Sequence, residues 1–346
     1  MAQKKRINLA LQGGGAHGAF TWGVLEVLLN DPEIEIAGIS GTSAGALNGA
    51  ALKSGMIRNG VAGALENLDS LWHQMGAVQD TQLNAWLGKS GPKPSSVARA
   101  LEYSLPYALG ETMSRMVSPY SYGPLYRNPL HPVVEAFNFA EVCAEEGPRL
   151  FICATNVRTG KARVFTRDEI TTEAILASAC LPTMFQAVDI VDPKTGQKDA
   201  YWDGGYTGNP VLYPLFDKDL PDDLVIVNIN PIERKEKPVT PQQIQSRINE
   251  ISFNAALLGE LRAISFVQRL IEREAIGKDE MKSVKVHMIA DDALMNDLST
   301  ATKTMPTPYI LSRLREAGKQ AASGFLDAHR GDIGKQSSVD LQEMYG

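Results

Sequence analysis

The chain has 346 residues, of which 44% are hydrophobic and 21% charged, a balance typical of a soluble globular protein with one large or two ordinary domains. The formal net charge of −6, with no basic cluster beyond the first few residues, excludes the electrostatic footprint of a nucleic-acid-binding protein. The sequence has three cysteines without metal-ligand spacing, and it shows neither a secretory leader nor an apolar run of roughly 18 residues. We therefore expect a cytoplasmic chain without bound metal or membrane anchor.

Predicted strands and helices alternate at the start of the chain. In chain order they are a strand at residues 7–11, a helix at 16–30, a strand at 34–40 and a helix at 44–53. In such a unit the two strands are parallel, so that the loops following them lie at one edge of the sheet. We therefore expect the first loop, Gly13-Gly14-Gly15, to lie close to the second, which contains Ser43.

Ser43 lies in the pentapeptide Gly41-Thr42-Ser43-Ala44-Gly45, between the second strand and the helix that follows it. A G-x-S-x-G sequence in this position presents a serine on a sharp turn, where small neighbours leave the hydroxyl clear of the backbone. The pentapeptide alone also suits an ordinary turn. Its position between a strand and a helix predicts that Ser43 is the nucleophile of a serine hydrolase.

Three successive glycines, Gly13, Gly14 and Gly15, follow the first strand. Their N–H groups, unobstructed by any Cβ, can hold the negative oxygen of a tetrahedral intermediate, so we predict an oxyanion loop. Together with Gly18, two of these glycines also form the dinucleotide fingerprint Gly13-x-Gly15-x-x-Gly18. That pattern would indicate a nonhydrolytic nucleotide-binding or regulatory module. That fingerprint requires an acidic residue at the end of the second strand, where this chain has Ser40.

A serine nucleophile needs a base, for which the chain offers a histidine and an aspartate. His287 would complete the residue order of an ordinary α/β-hydrolase, but only one helix and one strand fit between the glycine loop and Ser43, fewer than that fold requires. His287 is therefore interpreted as a structural strand residue. Asp203, within Tyr201-Trp202-Asp203-Gly204-Gly205, can accept the serine proton directly from a partly desolvated position, although Asp-Gly-Gly also suits a plain turn.

Four short blocks occur in a characteristic order. They are Gly13-Gly14-Gly15-Ala16-His17-Gly18, Gly41-Thr42-Ser43-Ala44-Gly45, Ala177-Ser178-Ala179-Cys180-Leu181-Pro182 and Asp203-Gly204-Gly205. In order and spacing they resemble the motifs of the patatin-like phospholipase family, over about residues 6–230. The resemblance implies an α/β fold, a three-layer α/β/α sandwich with a mainly parallel central sheet, and a Ser–Asp dyad that hydrolyses fatty-acyl esters without a cofactor. By position it makes Ser43 the nucleophile, Asp203 the general base and Gly13 to Gly15 the oxyanion loop.

His17 stands where this family usually has Arg or Lys. The resemblance therefore implies a titratable contact to the substrate head group in place of a fixed cation. Its implied substrates are the acyl-ester lipids, phospholipid or lysophospholipid. A cytoplasmic esterase or depolymerase acting on other acyl or hydroxyacyl esters is the alternative, and the sequence does not separate the two.

Outside the blocks we expect one catalytic domain over residues 1–346. Residues 56–130 combine Trp, Met and Tyr with Pro, Gly and Ser, which suits a lid or acyl-binding cap, with a core-covering insertion as the alternative. Residues 240–330 form a helical and strand extension whose first helix, at 240–276, is amphipathic. Packing against the sheet or in a homodimer is favoured for this helix over peripheral membrane contact. The polar tail, 331–346, has no assigned function.

Overall fold

One mixed sheet forms the centre of the protein. The computed structural model describes residues 4–76, 93–102, 104, 117–193, 195–234, 237–277 and 280–345. Within these residues the strands are β1 (Lys5–Leu11), β2 (Ile34–Gly41), β3 (Arg149–Asn156), β4 (Ala162–Thr166), β5 (Val188–Val191), β6 (Lys198–Asp203), β7 (Asp223–Asn228) and β8 (Lys285–Ala290). Their order across the sheet is β5-β6-β3-β2-β1-β7-β8, and β4 pairs with β3.

The middle of the sheet is parallel and one side is antiparallel. β1 pairs in parallel with β2 and β7, while β2 pairs in parallel with β3 and β7 with β8. β6 runs antiparallel to both β3 and β5, and β4 runs antiparallel to β3. The predicted α/β class with a mainly parallel central sheet is confirmed.

Helices cover both faces of this sheet. In the described ranges they are α1 (Gly18–Asn30), α2 (Ala44–Gln74), α3 (Pro94–Glu102), α4 (His131–Glu135), α5 (Phe139–Val142), α6 (Thr172–Ser178), α7 (Pro241–Glu272), α8 (Asp292–Asp297), α9 (Thr300–Thr304), α10 (Pro308–His329) and α11 (Leu341–Tyr345). The hydrophobic core that packs on one face includes side chains of α1, α2 and α10, and the core on the other face includes side chains of α7. The layers are those of an α/β/α sandwich.

Alternation along the central strands distributes the side chains between the two cores. Leu9 and Leu11 of β1 belong to the core beneath α1 and α2, whereas Ala10 belongs to the core beneath α7. β7 behaves in the same way, with Val225 on the first side and Ile226 on the second. Strands buried on both faces read as continuous apolar runs, which is why the sequence shows no polar alternation at these strands.

The helix after Ser43 is longer than the predicted span of 44–53. It continues to Gln74 because a second amphipathic stretch follows, whose Leu68 and Leu71 are buried in the core. The two stretches join at Asn59 and Gly60, where the backbone leaves helical geometry and Gly60 adopts a φ of 57°. Glycine tolerates this left-handed conformation, so the chain bends there without the steric cost of a Cβ.

The segment predicted as a lid or as an insertion, 56–130, is described only in part. Its first quarter belongs to α2, where Trp72 stacks on Trp22 and is buried, which fits the core-covering alternative. Further along, Tyr120 and Tyr122 lie in a 3₁₀ turn and expose more than half of their surface. The prediction also used Trp86, Met113 and Met116, which lie outside the described residues.

Helix α7 packs against the sheet, as was favoured for it. Leu257 and Leu261 are fully buried in the second core, while Ile244, Ile248 and Ile251 of its first half are exposed. In the described part of the chain no helix is both long enough and apolar enough to cross a membrane.

Helices α1 and α10 approach each other closely through two glycines. A Cβ placed on Gly318 of α10 would lie 2.0 Å from the carbonyl oxygen of Phe20, and one on Gly23 of α1 would lie 1.9 Å from that of Arg315. Contacts this short with backbone atoms cannot be relieved by moving a side chain. The two helices therefore pack at this distance only because both positions lack a Cβ.

We expect Gly318→Ala to destabilise the fold by several kcal/mol, because the methyl group would force α1 and α10 apart in a packed core. Gly324→Ala is the matched control on the same helix, where a Cβ meets nothing within 4 Å. There the better helix propensity of alanine should stabilise the protein by up to about 1 kcal/mol. Urea unfolding of both variants checks this, and similar midpoints would contradict the packing argument.

Candidate active site

The ends of three neighbouring strands bring distant parts of the chain together. Gly41, at the end of β2, pairs with Ile152 of β3, and Asp203, at the end of β6, pairs with Ala154 two residues further along β3. Although β6 runs antiparallel to β3, only its last three residues pair with the last three residues of β3, so Asp203 lies at the edge at which the parallel strands end. β1 ends at the same edge, which places its glycine loop beside Ser43, as predicted.

Ser43 occupies a strained turn at the start of α2. Its backbone has a φ of 54° and a ψ of −120°, a left-handed conformation that non-glycine residues adopt rarely and at a cost. The turn is tight enough that a Cβ on Gly45 would lie 2.1 Å from the carbonyl oxygen of Leu11. Ser43 itself is partly exposed, so its hydroxyl is accessible from outside the core.

Asp203 lies beside the Ser43 hydroxyl and is 1% exposed. Its Oδ1 accepts a hydrogen bond from the backbone N–H of Gly205 at 2.8 Å, and the Ser43 side chain lies close enough to act on the carboxyl group as a second hydrogen-bond donor. Burial raises the pKa of Asp203 to about 7, although both hydrogen bonds act to lower it. A carboxylate with a pKa near neutrality is basic enough to take a proton at physiological pH.

Close packing holds the Asp203 turn against the Ser43 turn. Thr42 donates its hydroxyl hydrogen to the carbonyl oxygen of Gly208 at 2.7 Å, which joins the two turns directly. A Cβ on Gly204 would lie 2.2 Å from the carbonyl oxygen of Cys153, so this glycine is required where the turn crosses β3. Tyr206 packs edge-on against Phe253 of α7 and closes the far side of the turn.

The glycine loop after β1 contacts the serine turn. A Cβ on Gly13 would lie 2.6 Å from the Cβ of Ser43, and one on Gly18 would lie 2.6 Å from the Cβ of Ala44. Gly15 has a φ of 58°, and a Cβ placed on it would lie 2.4 Å from the carbonyl oxygen of Lys303. The glycines therefore serve close approach as well as exposing their N–H groups.

The three predicted oxyanion donors are not equivalent. The N–H of Gly13 donates to Asn209 Oδ1 at 2.6 Å, and the carbonyl oxygen of Gly13 accepts from Asn230 Nδ2 at 2.7 Å. The Gly13 amide is therefore occupied by a side chain. Within the described residues, no group outside their own turn accepts from the N–H groups of Gly14 and Gly15, which leaves these two as the candidate donors.

His17 does not face the substrate side as predicted. It is 1% exposed, and its Nε2 lies 2.8 Å from Thr302 Oγ1. Burial lowers the pKa of His17 well below its ordinary value, and the positive charges of Lys303 and Arg234 lower it further. His17 is thus a neutral, buried ring that fixes α9 on the glycine turn, and this corrects its predicted role as a head-group contact.

The other titratable candidates lie elsewhere or stay protonated. His287 is fully buried on β8 and its Nε2 lies 3.0 Å from Asp223 Oδ1, consistent with a structural strand residue. Cys180 donates to the carbonyl oxygen of Gln186, and burial raises the pKa of its thiol to about 12. Neither side chain is placed to act on the Ser43 hydroxyl.

Ser178 is a contact that the sequence pattern did not reveal. The Oγ of Ser178, a residue of the third motif block, accepts the backbone N–H of Ser43 at 2.9 Å. Ser178 is fully buried at the end of α6. It thereby satisfies a donor that the strained Ser43 turn would otherwise leave without a partner. The only signal in the sequence is that Ser178 belongs to one of the four motif blocks.

A hydroxyl on a strained turn, a buried carboxylate beside it and two nearby amides are the groups that acyl transfer through a serine requires. A sequence model of the patatin-like phospholipase family matches residues 9–215, which is more than half of the chain. The chain belongs to the patatin-like phospholipase family. Lipid acyl hydrolysis is the class of function that this membership supports.

Two solved structures are similar to this chain at low identity. VipD from Legionella pneumophila shares 15% identity over 94% of this chain and 67% of its own, with a TM-score of 0.44. The heterodimeric ExoU–SpcU complex from the type III secretion system of Pseudomonas aeruginosa shares 16% identity over 96% of this chain and 62% of its own, with a TM-score of 0.30. Comparison with curated proteins gave no significant match. The family assignment rests on the sequence match.

We expect the Asp203→Asn variant to be more stable than the native chain, by a margin that grows as the pH rises. In the unfolded chain the carboxyl ionises near its ordinary pKa, but in the fold it resists ionisation until about pH 7, so native stability is lost across that interval. Between about pH 5 and pH 8 the advantage of the variant should grow by roughly 3 kcal/mol. Urea unfolding at both pH values measures it. Asp189→Asn, at a side chain that is 53% exposed, is the control and should show little change.

We expect Ser178→Ala to lower kcat for ester hydrolysis about tenfold, with KM little changed. The variant leaves the N–H of Ser43 without its acceptor and loosens the strained turn, which corresponds to a loss of about 1–2 kcal/mol. Ser54→Ala is the matched control, because Ser54 is also buried but donates to Glu141 at 2.6 Å. Equal kcat values for the two variants would show that Ser178 acts only as core packing.

Proposed function

We propose that this protein releases fatty acid from phospholipid or lysophospholipid through a Ser43–Asp203 dyad and an acyl-enzyme intermediate. The observation that carries the proposal is the position of the Ser43 side chain beside the buried carboxyl group of Asp203, close enough to act on that group as a hydrogen-bond donor. Because burial raises the pKa of Asp203 to about 7, the ionised form is available at neutral pH and is also a strong enough base to be useful.

In the acylation step, ionised Asp203 accepts the proton of the Ser43 hydroxyl while Oγ attacks the ester carbonyl carbon. The proton now on Asp203 passes to the leaving alkoxide as the bond between the acyl carbon and the alcohol oxygen breaks. In the second step, Asp203 accepts a proton from water, the hydroxide oxygen attacks the acyl carbon, and Ser43 leaves with that proton. Asp203 therefore ends each turnover ionised, as it began.

The negative oxygen formed in each step needs stabilisation from fixed donors. The N–H groups of Gly14 and Gly15 are the candidates, because Asn209 occupies the N–H of Gly13. Gly13 then acts as the anchor of the loop, held through both its N–H and its carbonyl oxygen. A single oxyanion donor contributes on the order of 3 kcal/mol to such a transition state.

A second candidate substrate class is favoured by the state of His17. Since the ring is neutral and buried against Thr302, this position supplies no cation for a phosphate head group. An esterase or depolymerase acting on other acyl or hydroxyacyl esters needs no such cation. Cytoplasmic location and peripheral membrane contact through the exposed isoleucines of α7 stay predictions, as does a homodimer.

Hydrolysis of a short-chain p-nitrophenyl ester and of defined phosphatidylcholine and lysophosphatidylcholine tests the proposal directly. We expect Ser43→Ala and Asp203→Asn to abolish release of acid from every substrate that the native chain hydrolyses. Asp199→Asn is the matched control, because it changes a partly exposed aspartate on the same strand whose Oδ1 lies 3.5 Å from Arg158 Nε. It should retain native activity.

The two kinds of substrate, the p-nitrophenyl ester and the phospholipids, separate the two candidate functions. Release of fatty acid from phospholipid or lysophospholipid, lost in both dyad variants, supports the first. Hydrolysis of the p-nitrophenyl ester alone retains the dyad and favours the second. If a folded Asp203→Asn variant kept native kcat, Asp203 would not be the base.

A further inference from the structure

A cavity of about 340 Å³ lies behind the glycine loop, away from the residues used in the mechanism above. It is enclosed by α3, by the first half of α7 and by the segment from α8 to α9. The residues that line its inner wall include Arg234, Arg247 and Glu250. A volume of this size accommodates a small organic ligand.

The inner wall carries more positive than negative charge. Glu250 is 2% exposed, and its carboxylate lies 2.6 Å from Arg234 and 3.4 Å from both Arg247 and Lys303. Although burial alone would raise the pKa of Glu250, Lys303 and Arg234 lower it to about 2, so the carboxylate is ionised. Burial lowers the pKa of Lys303, and Glu250 opposes that shift. With Lys303 charged, one anion faces three cations.

The mouth of the cavity does not remove this excess. Arg99 and Lys237 are exposed there, and Glu102 and Asp297 line the same opening, so the charges at the mouth balance. The inner wall has two guanidinium groups, Arg234 and Arg247, against one carboxylate, Glu250, so it attracts a phosphate monoester, which carries about −1.5 to −2 at neutral pH. Guanidinium groups also match the geometry of phosphate oxygens.

Two of the three contacts to Glu250 are weak. Arg234 binds the carboxylate through two nitrogens at 2.6 and 3.1 Å, whereas Arg247 and Lys303 reach it only at 3.4 Å. A distance of 3.4 Å is beyond the usual range of N–H···O bonds. Arg247 Nη2 is held by the carbonyl oxygen of Ile232 at 2.9 Å, so an anion in the cavity can draw Nη1 from Glu250 without breaking a strong bond to that carboxylate.

A short chain of contacts connects this wall to the candidate oxyanion loop. Lys303 Nζ donates to Asn230 Oδ1 at 3.0 Å, and Asn230 Nδ2 donates to the carbonyl oxygen of Gly13 at 2.7 Å. The carbonyl oxygen of Lys303 also lies against Gly15. Lys303 thus connects Glu250, which lines the cavity, to the loop.

We propose that this cavity binds a small phosphate monoester or free phosphate, and that its occupancy lowers the activity of the Ser43 site. A phosphate that takes Arg247 leaves Glu250 with fewer cations, and Glu250 then draws Lys303 away from Asn230. The side-chain amide that holds Gly13 loses its anchor, and the oxyanion loop loosens. The effect on activity rests on the proposed function, whereas the binding site does not.

Isothermal titration calorimetry in a buffer without phosphate measures binding independently of activity. Inorganic phosphate and glycerol 3-phosphate are the probes, at an ionic strength held constant with chloride. We expect both to bind the native chain, and Arg247→Gln to bind at least about tenfold more weakly through loss of a charged hydrogen-bond donor. Arg99→Gln, at the exposed mouth, should weaken binding by a smaller factor. Arg269→Gln is the matched control, on the same helix but outside the cavity, and should bind as the native chain does.

Absence of binding to the native chain, or equal binding by Arg247→Gln and Arg269→Gln when both are folded, would overturn the site. Vesicles containing phosphatidic acid form a further arm. Binding to these vesicles, lost in Arg247→Gln while free phosphate fails to bind, would assign the phosphate to a lipid head group instead of a soluble ligand.

Ester hydrolysis with and without saturating phosphate tests the connection to Ser43. Phosphate should lower kcat in the native chain and in Arg269→Gln by a factor of several, with KM little changed, and should leave Arg247→Gln unaffected. Binding that leaves the native kcat unchanged would overturn the connection and retain the site. A chain that binds phosphate but hydrolyses no ester or lipid would refute the proposed function alone.

Discussion

The site depends on a backbone conformation that the chain adopts at Ser43 against its intrinsic preference. A left-handed φ at a non-glycine residue costs on the order of 1–3 kcal/mol, so the surrounding structure must supply the compensation. Part of it comes from Ser178, which accepts the N–H of Ser43, and part from Thr42, which binds the carbonyl oxygen of Gly208. The remainder comes from close contacts at Gly13 and Gly45, which are possible only because these residues have no Cβ.

A second constraint is the burial of polar groups next to this turn. Asn209 and Asn230 hold both backbone groups of Gly13, and Gln12 accepts the backbone N–H of Asn230 at 3.0 Å. These side chains are almost fully buried, so each unmade bond would leave a desolvated polar atom. The loop is therefore held by a network in which every member needs its neighbours. Asp203 is the exception, because its burial opposes the ionised form that the mechanism requires.

Much of this arrangement could be predicted from the sequence. The βαβα unit fixed the edge at which the glycine loop and Ser43 meet, because parallel strands and short crossovers leave little choice. Asp203 required the family resemblance, since a β-hairpin strand that adds to the antiparallel side of a sheet leaves no periodic signal of where it docks. Ser178 and the burial of His17 depend on tertiary contacts that no local pattern encodes. The same holds for the charge cluster around Glu250, whose members lie on α7, on α9 and in the loop before α7.

The antiparallel β6 strand also determines when the site becomes competent. Asp203 reaches Ser43 only after a strand far along the chain has paired with β3, whereas the serine turn and the glycine loop belong to one continuous unit near the start. Contacts so distant in sequence form late because the intervening loop must first be closed at an entropic cost. A partly folded chain thus carries the serine without its proposed base. If Ser43 and Asp203 form the proposed dyad, the capacity to attack esters is confined to the completed fold.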